Sequence, residues 1–329
     1  MAAGLICIFA APSLRAQDVD EGAGTAEFQY LETLIYARPA GLAGAYTSLA
    51  QGEDAIGYNP AGLSKLESIR SVSATIRYHM VDVTSGNVTY AFPGSTGLKY
   101  AFSAAYINYG RIQELDENGM ATGADNNPAS FNPAFTASKK VSDRLRLGAT
   151  LKGLSEYLGD FDGSRLGLGW GLDAGLLYQP GARNLGFGLS LLNLGNKVAS
   201  HWQGGDEGGL LPVSLKGGLF YHPLDLPKGR VAVDVELPWH DSPLLSGGIE
   251  YAYTQGLVLR TGTRLSLPEM EHYFLKATDQ RPGEFTGGNA LKLAGGFTFQ
   301  TESLGLDYAA QYWQGLSWVH AFTLRYAVM

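Results

Sequence analysis

Between Arg165 and Leu176 the chain reads RLGLGWGLDAGL. Leu166, Leu168, Trp170, Leu172, Ala174 and Leu176 fall on one side of an extended backbone, with Arg165, Gly167, Gly169, Gly171, Asp173 and Gly175 on the other. Side chains alternate across a strand with period two, so this pattern predicts a strand with one greasy and one polar face. The same alternation recurs after Glu67 often enough to predict fourteen strands. Ser71–Tyr78 and Leu145–Leu151 show it cleanly, a short second strand ends in Val88, Tyr90 and Phe92, and the fourth is weakened by Lys139 on its apolar face. The series closes with Leu304-Leu306-Tyr308-Tyr312 and Trp318-Phe322-Leu324-Tyr326-Val328.

A soluble sandwich would also alternate, but its apolar faces need a second sheet and its strands average only ~5–6 residues. Here many strands approach the ~9–11 residues that cross a bilayer. The face opposite the apolar one is Gly, Ser, Thr and charge. Its charged members are nine cations (Arg77, Arg144, Arg146, Lys152, Lys216, Arg260, Arg264, Lys292, Arg325) and five anions (Asp173, Asp234, Glu236, Glu250, Asp307). Connections alternate in length. Pro93–Gly97, Ser142-Asp143, Pro180–Arg183, Gln255-Gly256 and Glu302-Ser303 are tight, whereas Gly110–Phe131, Glu156–Ser164, Asn196–Leu211 and Pro268–Gly288 are long. Pro223–Lys228 is long for a periplasmic turn and Gln314-Gly315 short for an external loop. The expected fold is therefore all-β: a transmembrane antiparallel β-barrel of about fourteen strands, with both termini on the short-turn side.

One sizeable segment after the N-terminus departs from strand and turn, Thr25 to Leu66. Ala26, Phe28, Leu31, Leu34 and Ile35 recur at roughly helical spacing until Pro39. Small residues then allow close backbone approach, and Asn59-Pro60-Ala61-Gly62 predicts a turn. Two placements are open: a helical hatch in or against the barrel mouth, or a lead-in arm lying outside. Gly is 44 of 329 residues, well above the usual ~7 per cent. Inward glycines either leave room for that hatch, where Arg38, Glu53 or Asp54 would meet wall charges of opposite sign, or relieve strain where strands coil tightly.

Met1–Ala16 reads as the apolar core and small-residue end of a secretory signal with no basic n-region, which places the true start upstream and cleavage after Ala16. The division expected is 1–16 signal peptide, 17–66 hatch segment and 67–329 barrel. Cys7 is the only cysteine, so the mature chain has neither disulfides nor thiol chemistry. Loss of Arg15 moves the net charge from −7 to −8, and an acidic balance without basic clusters excludes nucleic acid as the partner.

Nothing points to an enzyme. The six histidines (His79, His201, His222, His240, His272, His320) are scattered without metal-ligand spacing, and no Ser/His/acid set stands out. Asp116, Glu117, Asp125 and Asn126 lack the spacing of a Ca²⁺ loop. GLGWG at 167–171 lacks the Gly-Lys-Ser/Thr of a nucleotide loop. No cofactor, metal or catalytic residue is expected.

The stretch ARPAGLAGAYTSLAQGEDAIGYNPAGLSKL (Ala37–Leu66) resembles the N-terminal signature of the PorV/PorQ family, in which an Ala-Arg, a Gly-rich stretch, acidic residues and Asn-Pro-Ala-Gly-Leu precede a barrel similar to the FadL fatty-acid transporter. Ile107–Gly123 resembles the family's third strand and loop, as does Leu145–Gly153. The resemblance implies a fourteen-stranded barrel in the outer membrane of a diderm bacterium, plugged by a hatch whose motif is Arg38, Gly41, Gly44, Asp54, Asn59, Pro60 and Gly62. It also implies service in type IX protein secretion, in cargo release and surface attachment. The acidic pair Glu53-Asp54 is weaker than the family's, and the C-terminus lacks a terminal aromatic, leaving Phe322, Leu324 and Tyr326 for barrel recognition.

Two functions follow. The leading expectation is a binding component of protein export whose long loops meet secreted cargo proteins or translocon subunits, with outer-membrane lipid around it. The alternative is a FadL-like transporter of hydrophobic small molecules. That requires an apolar pocket, unfavourable against a lumen of nine cations and five anions unless the hatch itself supplies the apolar wall.

Overall fold

The computed structural model describes residues 26–33, 35–67, 70–80, 82–115, 118–159, 166–181, 184–200, 211–266, 291–313 and 317–328. The signal reading at 1–16 and the loop 268–288 lie outside them. In chain order the strands are β1 (Arg70–Tyr78), β2 (Thr84–Pro93), β3 (Leu98–Asn108), β4 (Ile112–Leu115), β5 (Ala121–Asn126), β6 (Ala129–Lys140), β7 (Leu145–Tyr157) and β8 (Gly167–Tyr178). They continue with β9 (Leu185–Ala199), β10 (Ser214–Tyr221), β11 (Gly229–Pro238), β12 (Leu244–Ala252), β13 (Leu257–Ser266), β14 (Leu291–Gln300), β15 (Leu304–Trp313) and β16 (Ser317–Val328). Fourteen of them close an antiparallel barrel in which each strand pairs with its neighbours in sequence, β3 passing to β6. β1 seals it against β16, from Arg70 opposite Val328 to Tyr78 opposite His320. β4 and β5 form a separate hairpin within the Gly110–Phe131 connection, which is therefore less loop than the sequence suggested.

Burial is inverted relative to a water-soluble protein. In β1 the polar Ser71, Ser73, Thr75 and Arg77 are buried, and Val72, Ile76 and Tyr78 are exposed. Leu147 and Leu151, Leu168 and Leu172, and Leu306, Phe322 and Leu324 likewise face outward. An apolar band of that extent needs lipid around it. Tyr78, Tyr106, Trp170, Tyr312 and Trp318 ring the long-loop end, and Tyr90, Tyr178, Tyr221, Tyr253 and Tyr326 the short-turn end, as interfacial aromatic girdles do. Lys139 is exposed at the short-turn end of β6, where its charge reaches the interface rather than the hydrocarbon.

Residues 26–67 occupy the bore, with the stretch from Ala37 to Ala50 almost wholly buried. No helix runs from Ala26 to Pro39. Phe28 is left-handed at φ 57, Gln29–Glu32 makes one 3₁₀ turn, and the α-helix α1 is Ala37–Gly41. Pro39 sits inside α1 instead of ending it, because first-turn residues have no intrahelical N–H bond to lose. Left-handed Ala43 and Gly44 (φ 53 and 90) stop the helix, and Gly44 N–H donates to the Pro39 carbonyl. Two further 3₁₀ turns follow, Gly52–Ala55 and Pro60–Lys65.

The hatch crosses the bore from rim to rim. Both ends of the barrel wall lie at the short-turn rim, but the segment starts at the opposite one: Glu27 is ion-paired with Lys197 near the end of β9, and Phe28 packs by Gly169 at the start of β8. It then descends, so that Ser64 N–H donates to Ser138 Oγ near the β6–β7 turn. The hatch thus runs the length of the bore.

Candidate functional site

Three groups of contacts seat this hatch. The first is ionic. Arg38 in α1 makes a two-pronged contact with Glu250 of β12, Nε to Oε1 at 2.9 Å and Nη2 to Oε2 at 3.1 Å. Arg260 of β13 reaches both Glu250 and Asp307 at 3.3 Å, and Arg325 of β16 reaches Asp307 at 2.7 Å. Three guanidiniums therefore share two buried carboxylates, a planar fork geometry that suits arginine. Gly41 lies against the Arg260 stem, where a Cβ would fall 2.9 Å from Cδ. The Ala37 N–H donates to Thr323 Oγ1, and Gln311 Nε2 donates to the Ala40 carbonyl.

The second is a cap. The turn through Ala43 and Gly44 leaves two N–H groups facing the wall, and Asp234 of β11 accepts from both, Tyr46 at 2.9 Å and Thr47 at 2.6 Å. The third is steric. Asn59 Nδ2 donates to the carbonyls of Thr47 and of Leu176 on β8, both at 3.0 Å, while its Oδ1 accepts from Ala61 N–H at the start of the last 3₁₀ turn. Pro60 and Ala61 press on Gly148, where a Cβ would meet backbone at 2.4 Å, and Asn59 and Pro60 on Gly175. Gly188 faces the Thr47 carbonyl, and Gly248 and Gly262 face Leu42. The wall glycines make room for the hatch. Gly62 serves the hatch's own fold, with no space for a Cβ beside Ala50.

Of the motif residues, Arg38 and Gly41 meet at β12–β15, and Asn59 and Pro60 meet β7 and β8. Gly44 shapes the turn between. Asp54 is fully buried and neither carboxylate oxygen has a hydrogen-bond partner. Its pKa is pushed up to about 7, first by desolvation, with Asp307 and Glu53 adding to it and Arg325 and Arg38 opposing. Among the inward charges, Arg144 lies exposed in the β6–β7 turn and not in the bore, because β7 starts one residue later. The Lys292 side chain lies outside the described atoms. Arg230, inward on β11 on the same face as Asp234 and Glu236, was missed because it precedes the first apolar position, Val231, and reads with Gly229 as turn; Gln311 and Thr323 carry no charge to draw attention.

Cavities lie on both sides of the hatch. On the long-loop side a cavity of about 70 Å³ lies between the hatch and β2–β9. The hatch contributes Leu31, Ile35, Tyr36, Ile56 and Tyr58, and the wall adds Ile107 and Leu192. Tyr36, Tyr46 and Tyr58 pack edge to face behind it, at 6.4 and 5.6 Å between ring centres. One side is polar: Lys152 is paired with Asp173 at 2.8 Å, and Asn193, left-handed at φ 62, donates its N–H to the same carboxylate. On the short-turn side a cavity of about 310 Å³ lies among Arg38, Glu53, Lys65, Arg230, Glu250 and Arg325.

No protein-family model matches the chain, and no curated protein matches it. Solved structures do. The Pseudomonas putida toluene transporter TodX superimposes with a TM-score of 0.58 at 16% identity, over 87% of this chain and 95% of that one. The CymD monoaromatic hydrocarbon channel gives 0.58 at 14%, over 89% and 97%. A Pseudomonas aeruginosa FadL homologue gives 0.57 at 13%, over 90% and 98%. The first is described as a transporter, the second as a channel and the third as a FadL homologue, none as an enzyme. With the lipid-facing exterior, the likeness establishes the fold: a closed fourteen-stranded barrel of the FadL-like, Gram-negative outer-membrane kind.

Proposed function

We propose that the protein carries small hydrophobic molecules across the outer membrane, past a hatch that yields as they go. The observation behind this reading is the composition of the upper cavity. The barrel wall is too charged to receive a greasy ligand, but Leu31, Ile35, Tyr36, Ile56 and Tyr58 turn an apolar surface toward it. The objection that a charged lumen raised against transport is thus met by the plug. Superposable proteins described as hydrocarbon channels and a toluene transporter support the same reading. At about 70 Å³ the cavity is smaller than the ~150 Å³ that holds benzene in an engineered protein core, so entry requires the hatch to move. The test is uptake of radiolabelled toluene and sucrose by proteoliposomes. Toluene uptake well above that of protein-free vesicles, with sucrose excluded, supports the proposal; uptake equal to that of empty vesicles overturns it.

The export reading, with PorV/PorQ-type attachment of secreted proteins, draws on a different observation. The β4–β5 hairpin on the long-loop rim exposes Ile112, Leu115 and Met120 to 44, 57 and 68%. Such a surface suits an exported chain better than a passing small molecule. Deleting the hairpin would leave toluene uptake intact and abolish cargo attachment if this second reading holds.

A further inference from the structure

The outer wall is not uniform around the barrel. Where β2, β3 and β6 approach the short-turn rim, Tyr90, Phe92, Tyr100, Phe102 and Phe135 point outward as one continuous patch of rings, with centres 5.0 to 5.9 Å apart. Three of these contacts are stacked, at 23 or 24° between ring planes. Strand register brings the rings together: Phe92 stands opposite Tyr100, Tyr90 opposite Phe102, and Phe102 opposite Phe135. Gly94 completes the fit, because a Cβ there would overlap the Tyr100 ring. A fixed aromatic surface at a membrane boundary lies against acyl chains just beneath the head groups.

The turn at the foot of this patch is cationic. KKVSDRLR, from Lys139 to Arg146, holds four cations and one acid in a chain of net charge −7, whereas the other short connections carry at most one Lys or Arg each. Lys140 is paired with Asp143 at 2.7 Å, and Arg146 turns inward. Lys139 and Arg144 are exposed and make no side-chain hydrogen bond or ion pair among the described residues. Lys139 shares the outward face of β6 with Phe135 and with Ala137, the partner of Tyr100, so its ammonium emerges beside the rings. Lipid phosphates lie at that level, and each cation near an anionic membrane surface strengthens association about fivefold. We propose that this sector of the wall binds an anionic phospholipid of the inner leaflet, which the short turns face. Its phosphate lies at Lys139 within the field of Arg144, and its acyl chains lie over Tyr100, Phe102 and Phe135. The site is on the outside of the barrel and does not depend on the transport proposal.

The test is native mass spectrometry of the full-length protein, titrated in a non-ionic detergent with phosphatidylglycerol or with phosphatidylcholine of the same acyl chains. Wild type should bind phosphatidylglycerol about tenfold more tightly, and the difference should shrink as salt is raised. Lys139→Gln/Arg144→Gln should lose that preference, while Lys228→Gln, which removes an exposed cation from the β10–β11 turn, should keep it. Phe102→Ala/Phe135→Ala leaves the charges in place and should weaken both lipids alike. All the substituted side chains are exposed on the outside of the barrel, so each variant should fold, as a heat-dependent gel shift would verify. Equal affinity of wild type for the two lipids would assign the cations to an aqueous partner and overturn the proposal. So would an undiminished preference in the folded charge variant, or unchanged affinity in the folded ring variant.

Discussion

Gly148 offers the sharpest perturbation of the hatch. It faces inward on β7, and a Cβ there would stand 2.4 Å from the Pro60 carbonyl carbon and 2.5 Å from the Ala61 nitrogen. Carbon atoms sit best at ~3.5–4.0 Å, so the hatch must retreat by about 1 Å, and no rotamer change helps because the obstacles are backbone. Overpacking of this kind costs about 1–3 kcal/mol. Carried entirely by hatch docking, that raises the unseated fraction about 5- to 150-fold. Gly217 on β10 is the matched control: a Cβ there meets nothing within 4 Å. Alanine at that position should be neutral or slightly stabilising. The assay is single-channel conductance in planar bilayers together with liposome swelling in a sugar solution. Gly148→Ala should open far more often than wild type while keeping its heat-dependent gel shift; Gly217→Ala should behave as wild type. Wild-type conductance in a folded Gly148→Ala barrel would refute the reasoning that wall glycines exist to admit the hatch.

Other consequences are separately measurable. Arg38→Ala breaks the two-pronged contact with Glu250 and leaves it to the wall cations Arg260 and Arg230, and since breaking a buried pair costs ~3–5 kcal/mol, the hatch should become protease-sensitive in an intact barrel. Asp234→Ala removes the acceptor for two N–H groups, each charge-assisted bond worth ~1.5–3 kcal/mol, and should loosen the Tyr46–Thr47 turn, read as faster amide exchange there. The raised pKa of Asp54 means the seated hatch holds a proton that a free one releases above the ordinary aspartate value of 3.8. Seating is therefore strongest at or below about pH 4 and weakens as pH rises to about 7. Asp54→Asn should flatten that slope and leave conductance lower than wild type at pH 8.

The barrel was legible because it depends on one local rule. Fourteen strands show the alternation, and even Lys139, which seemed to spoil a face, falls at an interface where its charge is welcome. Strand ends were less legible: β2 is a full ten residues, because Ser85 and Asn87 are inward polar positions that look like turn when read alone. The hatch was misjudged locally, since apolar spacing at 26–35 reflects packing against the wall and not a helix, as Phe28 beside Gly169 illustrates. Arg38 was expected to find an anion, but which anion depends on a contact 212 positions away. The upper cavity was illegible for the same reason: Tyr36, Tyr58 and Ile107 form one surface only after the barrel closes around the segment.

The central claim is that apolar molecules pass only when the hatch yields. Cys7 is the only native cysteine; with Cys7→Ser in place, Ala40→Cys on the hatch and Ala309→Cys on β15, which pack in one buried cluster, are the pair to join by oxidation. Toluene uptake should stop when the bridge closes and return on reduction. Uptake that proceeds at the same rate with the bridge closed would contradict the account.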